Sequence, residues 1–271
     1  MHAAYQNIKE YAFSTWTLDT LPLQDALDAI ARSGFSSVEL WADTVHFDPR
    51  TNIELSKVCK WLSDCRLKVH SVHAPFRNYV SPPSDEAEFR KLRMELLKKT
   101  LRNMNDMTIP IMVLHAVNRF EYNYSMSQRQ IVGDFLSELC QYARRLGIQI
   151  ALENIPTGEG LPDEIPTTLK EQIPLYPGIG LKYCLDIGHA LLAGIDPIEE
   201  ARAAGKDLIA THIHNNDGQL DSHEMPGNGL IDWPKLYLQL KEMGFKGEHT
   251  LEVFGPPDPV EIVKKARALF A

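Results

Sequence analysis

Short apolar runs recur along the chain with helix-period stretches between them, and that alternation predicts the fold. The runs fall at Ala12–Leu18, Ser37–Ala42, Val69–Ala74, Ile111–Val117, Ile148–Ile155, Leu181–Ile187, Ile209–His214 and Thr250–Phe254, each of strand length. Between the first two, Leu23, Ala26, Leu27 and Ile30 are spaced to form one helical face, and Gln24, Asp25 and Asp28 occupy the other. Two later helices open on one shared signal, Asp196-Pro197 with Glu199 and Asp258-Pro259 with Glu261. Each offers an N-cap acceptor, a proline at the first helical position and an acid in the first turn. Eight strand-then-helix units imply parallel pairing, and in the α/β class they close into a single (β/α)8 TIM barrel spanning residues 1–271. No Gly/Ser-rich linker, charge block or low-complexity tract offers a second domain a place to begin.

Composition adds little beyond exclusions. With 44% apolar and 24% charged residues the chain has material for a large core. The net charge of -8 argues weakly against a broad nucleic-acid surface. Cys59, Cys65, Cys140 and Cys184 lack CxxC spacing and do not suggest a disulfide scaffold. The amino-terminal stretch carries no basic region followed by a long apolar run, and no later run is long enough to span a bilayer. The expectation is a cytoplasmic protein without membrane contact.

The chemistry lies where the apolar runs end. His73, His115, Glu153, Asp186, His189, His214, Asp221, His223 and Glu252 all fall at those ends or just beyond. That is the face on which a β/α barrel carries its site. A carboxylate or imidazole that is costly to bury alone becomes sensible when several converge on a divalent cation. Glu153, Asp186, His214 and Glu252 close four consecutive runs and suit Mn²⁺ or Zn²⁺, with Mg²⁺ and Co²⁺ also admissible. His73 and His115 are either structural histidines or further ligands or substrate contacts. His189, Asp221 and His223 can hold another ion, order the neighbouring Pro226-Gly227-Asn228-Gly229 loop or meet substrate hydroxyls. His212 should point the same way as His214 but deeper, as a supporting or core residue. Trp16, Trp41 and Phe254 are placed to stack on a sugar ring, with core packing expected of at least one. The glycines of the PGNG loop read first as a need for unusual backbone angles and only second as a phosphate cradle. Cys184 reads as an inert buried thiol. Polar loops after His73, His115 and Glu153 are candidates for covering a substrate.

The segments HAPF, LENIP, CLDIGHALLAG, HIHNNDGQLDSHEMPGNGLIDW and TLEVFG resemble the xylose isomerase-like barrel superfamily, in particular its sugar phosphate isomerase/epimerase branch. The resemblance implies a metal-dependent enzyme acting on a small-molecule sugar or polyol, often as a dimer or tetramer. By likeness to the ketose epimerases, Glu153, Asp186, His214 and Glu252 would hold one ion, often Mn²⁺, and His189 would contact substrate. Glu153 and Glu252 would exchange a proton with a metal-stabilised enediolate. Isomerisation, epimerisation and dehydration all remain open at this point.

The same nine positions also match the three-zinc apurinic/apyrimidinic endonucleases. By that likeness His73 and His115 share one zinc with a bridging Glu153, which joins Asp186, His214 and Glu252 on the second. His189, Asp221 and His223 hold the third. Four carboxylates with neutral histidines leave a net negative site with one divalent ion, suited to a neutral polyol, and a net positive one with three, suited to phosphate. Two departures favour the sugar enzymes: the short interval from His214 to Asp221, and Ser222 where the endonucleases usually carry arginine. Arg77, Asn78 and Tyr79, or Arg119 and Tyr122, are thin candidates for groove-inserting loops. A sugar-binding barrel without catalysis is the third class, and no lost ligand position recommends it.

Overall fold

In the computed structural model each apolar run contains or overlaps a strand; the description covers residues 7–43, 45–76, 86–117, 126–157, 165–255 and 258–270. The strands are β1 (Tyr11–Ser14), β2 (Ser37–Trp41), β3 (Lys68–His73), β4 (Ile111–His115), β5 (Gln149–Glu153), β6 (Lys182–Asp186), β7 (Leu208–Ile213) and β8 (His249–Leu251). They pair in sequence order, and β8 returns to β1 in parallel to close the barrel. Around it run α1 (Leu23–Arg32), α2 (Leu55–Asp64), α3 (Glu86–Asp106), α4 (Met126–Arg145), α5 (Leu169–Gln172), α6 (Ile187–Leu192), α7 (Pro197–Ala204), α8 (Trp233–Glu242) and α9 (Pro259–Ala268). The (β/α)8 barrel expected from the sequence is therefore present. Among the described residues no helix is long and apolar enough to cross a membrane.

Local signals account for the helices. In α1 Leu23, Ala26, Leu27 and Ile30 are buried, whereas Gln24 and Asp25 are exposed. Asp196 and Asp258 accept hydrogen bonds from the backbone N–H of Ile198 and Val260, with Pro197 and Pro259 opening α7 and α9. The first apolar run is shorter as a strand than expected. After Ser14 the chain turns into a 3-10 helix, Thr15–Leu18, because Thr15 Oγ1 accepts the Trp41 N–H at 2.9 Å in place of a backbone partner. The fourth run likewise stops at His115, two residues short of Val117.

Strand alternation sorts the side chains into two cores. Outward residues such as Phe13, Leu40, Val72, Leu114, Leu152 and Leu185 pack with the helices in one large cluster. Inside the barrel a separate small cluster holds Ile111, Val113, Ala151, Cys184 and Ala210. Burial pushes the Cys184 thiol far up, so it is inert as expected. Two register shifts break the alternation. The β2/β3 ladder steps from Val38↔Val69 to Glu39↔Ser71, and the β6/β7 ladder from Tyr183↔Leu208 to Cys184↔Ala210. Each leaves one extra residue, His70 or Ile209, and reverses the face that later residues present. Beyond these bulges Ser71 lies beside Glu39 and His212 beside Asp186.

The stretches 77–85, 118–125 and 158–164, which contain the expected covering loops together with Arg77, Asn78, Tyr79, Arg119 and Tyr122, lie outside the described residues.

His249 tests the packing between barrel and helices. It is buried against Tyr11, Trp233, Tyr237 and Phe245, with Nδ1 2.9 Å from Thr211 Oγ1. Burial lowers its pKa to about 3, so the native state keeps it neutral where the unfolded chain, at about 6.5, takes up a proton. Stability from this residue is therefore present above pH 6.5 and is lost as pH falls toward 3. In urea unfolding, the free energy of a His249→Phe variant relative to the unsubstituted protein should shift in the variant's favour by about 2 kcal/mol between pH 7 and pH 5. A constant difference across that range would contradict the assignment.

Candidate functional site

The carboxyl ends of the strands carry the chemistry because parity places one inward residue there on strand after strand. His73, His115, Glu153 and Asp186 end β3, β4, β5 and β6, and His214 and Glu252 follow β7 and β8 directly. Asp186 also caps α6, accepting the His189 N–H at 2.7 Å, which turns His189 back toward the barrel mouth. Asn154 extends the β5/β6 ladder by a side chain: its Oδ1 accepts the Asp186 N–H at 2.7 Å, and its Nδ2 donates to the Asp186 carbonyl at 2.8 Å. Its own carbonyl lies 2.9 Å from His189 Nδ1.

Two groups of donors result. The first surrounds Glu153, whose Oε2 lies 3.2 Å from His73 Nε2 and 3.1 Å from His115 Nε2, and whose Oε1 lies 2.8 Å from His212 Nδ1. His212 Nδ1 is also 3.4 Å from Glu252 Oε2, and Nε2 is 3.2 Å from Glu39 Oε1. The second joins Asp186 to His214 at 2.9 Å, and Asp221 to His189 and His223 at 3.4 Å each. The His214 and His223 rings stack with centroids 3.8 Å apart. Gly188 is required here, since a Cβ would fall 1.9 Å from His214 Cε1.

The loop after β7 is built to present Asp221 and His223. Asn215 and Glu224 exchange backbone hydrogen bonds of 2.8 and 2.7 Å across its base. His223 adopts φ 48°, while its ring Nδ1 lies 2.7 Å from the Glu252 carbonyl and its own carbonyl accepts the Phe254 N–H at 2.8 Å. Such a conformation persists where surrounding contacts over-determine it. Gly229 sits at φ 129°, where a Cβ would come within 2.5 Å of Asn215 Oδ1 and the Asn216 carbonyl. Backbone need thus explains this glycine.

The electrostatics are mutual. Burial raises the carboxyls, yet the imidazoles around them prevail: His212 and His115 hold Glu153 well below its ordinary value, and His212 brings Glu39 down to about 2. Asp221 is likewise held far down by His189 and His223 against the effect of burial. Glu252 is the exception, pushed up by burial to about 7. Burial lowers the histidines, but Asp186 and Asp221 carry His189 up to about 10, and Glu153 raises His73. His115 and His214 are lowered by burial. The leading attractive partners of Glu39, Glu153, Asp186 and Glu252 are histidines.

The donor chemistry fits a divalent cation. His214 Nδ1 and Glu252 Oε1 are buried without hydrogen-bond partners. Compact donor sets form at His73, His115 and Glu153, at His189, His214, Asp221 and His223, at Glu153, Asp186 and His212, and at Glu39, His212 and Glu252. Of the four residues expected to share one ion, Asp186 touches His214, while Glu153 and Glu252 meet at His212. Among the described residues those four do not form one compact set. Glu39 was missed from sequence; an acid inside the run SVELWA was the available signal. It adds a further negative charge to the balance between one ion and three. His212, expected deeper than His214, is the hub of the first group.

The aromatic expectations divide. Trp41 is fully buried. Trp16 turns its edge contacts to Phe76, Phe254 and His223, with centroids 5.4, 4.7 and 5.0 Å away. Phe76, also against His73 at 4.8 Å, was not singled out from sequence.

Comparison with known proteins agrees with this architecture. A protein of Methanocaldococcus jannaschii is 28% identical over 90% of this chain and 84% of its own. The fructoselysine 3-epimerase of Shigella flexneri is 23% identical over 86% of each chain. Among solved structures, a D-tagatose 3-epimerase-like protein superposes with TM-score 0.78 at 24% identity, covering 96% of this chain and 97% of the other. A zinc-binding IolI protein superposes with TM-score 0.76 at 19% identity, covering 96% and 94%. The model of the xylose isomerase-like TIM barrel matches residues 27–271, and the chain belongs to that family.

Proposed function

We propose that this chain is a divalent-metal-dependent epimerase or isomerase of a ketose, keto-polyol or sugar phosphate, with Glu153 and Glu252 handling the substrate proton. The observation that carries the reading is the relation between those two carboxylates. They come from non-adjacent strands, meet the same imidazole at 2.8 and 3.4 Å, and differ in proton affinity, Glu153 held well down and Glu252 near 7. A pair of acids whose environments part them in this way suits one proton acceptor and one donor. The sugar epimerases among the similar proteins support the reaction class.

Glu153, Asp186, His214 and Glu252 would hold the cation, Mn²⁺ or Zn²⁺ before Mg²⁺ or Co²⁺. Bound there, it would supply Lewis acidity that makes a C–H beside the substrate carbonyl more acidic. Glu153, ionised, accepts that proton. Glu252 returns one from the opposite side. His189, raised by Asp186 and Asp221 against burial, donates to a substrate oxygen. Trp16, Phe76 and Phe254 form an apolar wall that packs on the sugar's C–H face and keeps water from the exchanging proton.

One observation favours a second reading, a trinuclear-zinc phosphodiesterase. The donor sets at His73/His115/Glu153, at Glu153/Asp186/His212 and at His189/His214/Asp221/His223 offer three centres, and three ions would offset the clustered carboxylates.

Metal analysis of protein purified without chelators or a histidine tag should give about one divalent ion per chain. The metal-loaded protein should exchange the proton beside the carbonyl of at least one ketose for deuterium in D₂O; silence across a broad panel sinks the epimerase reading. Glu153→Gln and Glu252→Gln should each lower turnover by roughly 10²–10⁴ while sugar binding persists. Close to three zinc ions, with nicking of duplex DNA at abasic sites, would instead establish the phosphodiesterase.

A further inference from the structure

Glu39 is a buried carboxylate beside the donor groups that the proposed reaction leaves unused. It is fully enclosed within β2 and surrounded by polar groups. Ser71 Oγ donates to its Oε2 at 2.7 Å, and His212 Nε2 lies 3.2 and 3.3 Å from its two oxygens. The other ring nitrogen, Nδ1, lies 2.8 Å from Glu153 Oε1. An imidazole with a carboxylate oxygen at each nitrogen makes two attractive contacts when both nitrogens donate. Ser71, Glu39, His212 and Glu153 therefore form one continuous chain of contacts, from the barrel interior to its mouth.

That chain constrains a single torsion. Glu153 presents Oε1 to His212 and Oε2 to His73 and His115, so turning the carboxylate about its last bond would break contacts on both sides. The two bulges serve this arrangement. Without the shift after Val38, Glu39 would lie opposite His70 instead of Ser71; without the shift after Tyr183, Asp186 would lie opposite Thr211 instead of His212. Irregularities that re-aim side chains next to a site are features of its construction. We propose that Glu39 is a positioning residue: acting through His212, it fixes the orientation in which Glu153 holds the ion and meets the substrate proton. The inference rests on the reading of Glu153 as a metal-holding carboxylate.

A purely structural ion pair would affect stability alone, so the test reads the metal's surroundings. Full-length protein freed of metal is titrated with Co²⁺, and the visible absorption band and affinity are recorded for the unsubstituted protein, Glu39→Gln and Ser71→Ala. Glu39→Gln is expected to shift the band and weaken Co²⁺ binding by about tenfold or more. Ser71→Ala keeps the charge but removes its anchor, and is expected to shift the band the same way with a loss of roughly threefold. It decides the matter alone should Glu39→Gln fail to fold. Where a ketose is turned over, Glu39→Gln should lower kcat by about tenfold with KM within about twofold, and Glu39→Asp should restore part of it. An unchanged band and affinity in the folded variants, whatever happens to their melting temperatures, would overturn the proposal. Unsubstituted protein that binds no Co²⁺ overturns it together with the metal reading. Protein that binds Co²⁺ yet exchanges no ketose overturns only the epimerase reading, and the band still decides for or against Glu39.

Discussion

Carboxylates buried in a barrel only a few residues wide repel one another and lose their water, and the arrangement of the site follows from how that repulsion is relieved. Here the compensation comes from histidines placed between acids: His212 between Glu153, Glu39 and Glu252, and His189 between Asp186 and Asp221. An uncompensated charge in such a place costs several kcal/mol, so removing one member of the set disturbs its neighbours. The same compensation is incomplete at Glu39, His115, His214 and Glu252, each of which has a buried side-chain atom without a hydrogen-bond partner. Those are the places at which a cation would finish the balance.

Backbone geometry serves this electrostatic need. A barrel of uninterrupted alternation would fill its interior with layers of apolar side chains. In this chain the apolar cluster inside the barrel is small, built from Ile111, Val113, Ala151, Cys184 and Ala210, while bulges after Val38 and Tyr183 align polar residues above and beside it. The loop after β7 extends the polar surface outward, clamped by Asn215 and by the contacts of His223 to the β8 end. Rigid strands thus set the inner donors, and an over-determined loop sets the outer ones, which is the division expected where positions must be held closely.

Much of this was legible in the amino-acid sequence. Apolar runs of strand length separated by helix-period segments specify a parallel barrel, because period and length are local properties. Polar ligands at the run ends specify the working face, because every strand of such a barrel ends at the same face. The caps at Asp196 and Asp258 are equally local, each formed within three residues. Glu153, Asp186, His214 and Glu252 could be singled out for the same reason.

What the tertiary structure decided was which of these residues meet. The bulges at His70 and Ile209 reverse strand parity without any distinctive residue to announce them, so the pairing of Ser71 with Glu39 and of Asp186 with His212 could not be read from spacing. Trp16 and Trp41 both lie within apolar runs, yet Trp41 is fully buried beside His73 at the end of β2, whereas Trp16, carried on the 3-10 turn after β1, sets its edge against His223. The sequence by itself determined a barrel with carboxylates and imidazoles gathered at one face. Only the closed barrel, through register and the approach of strands remote in the chain, made His212 the hub of that face and Glu39 its hidden support.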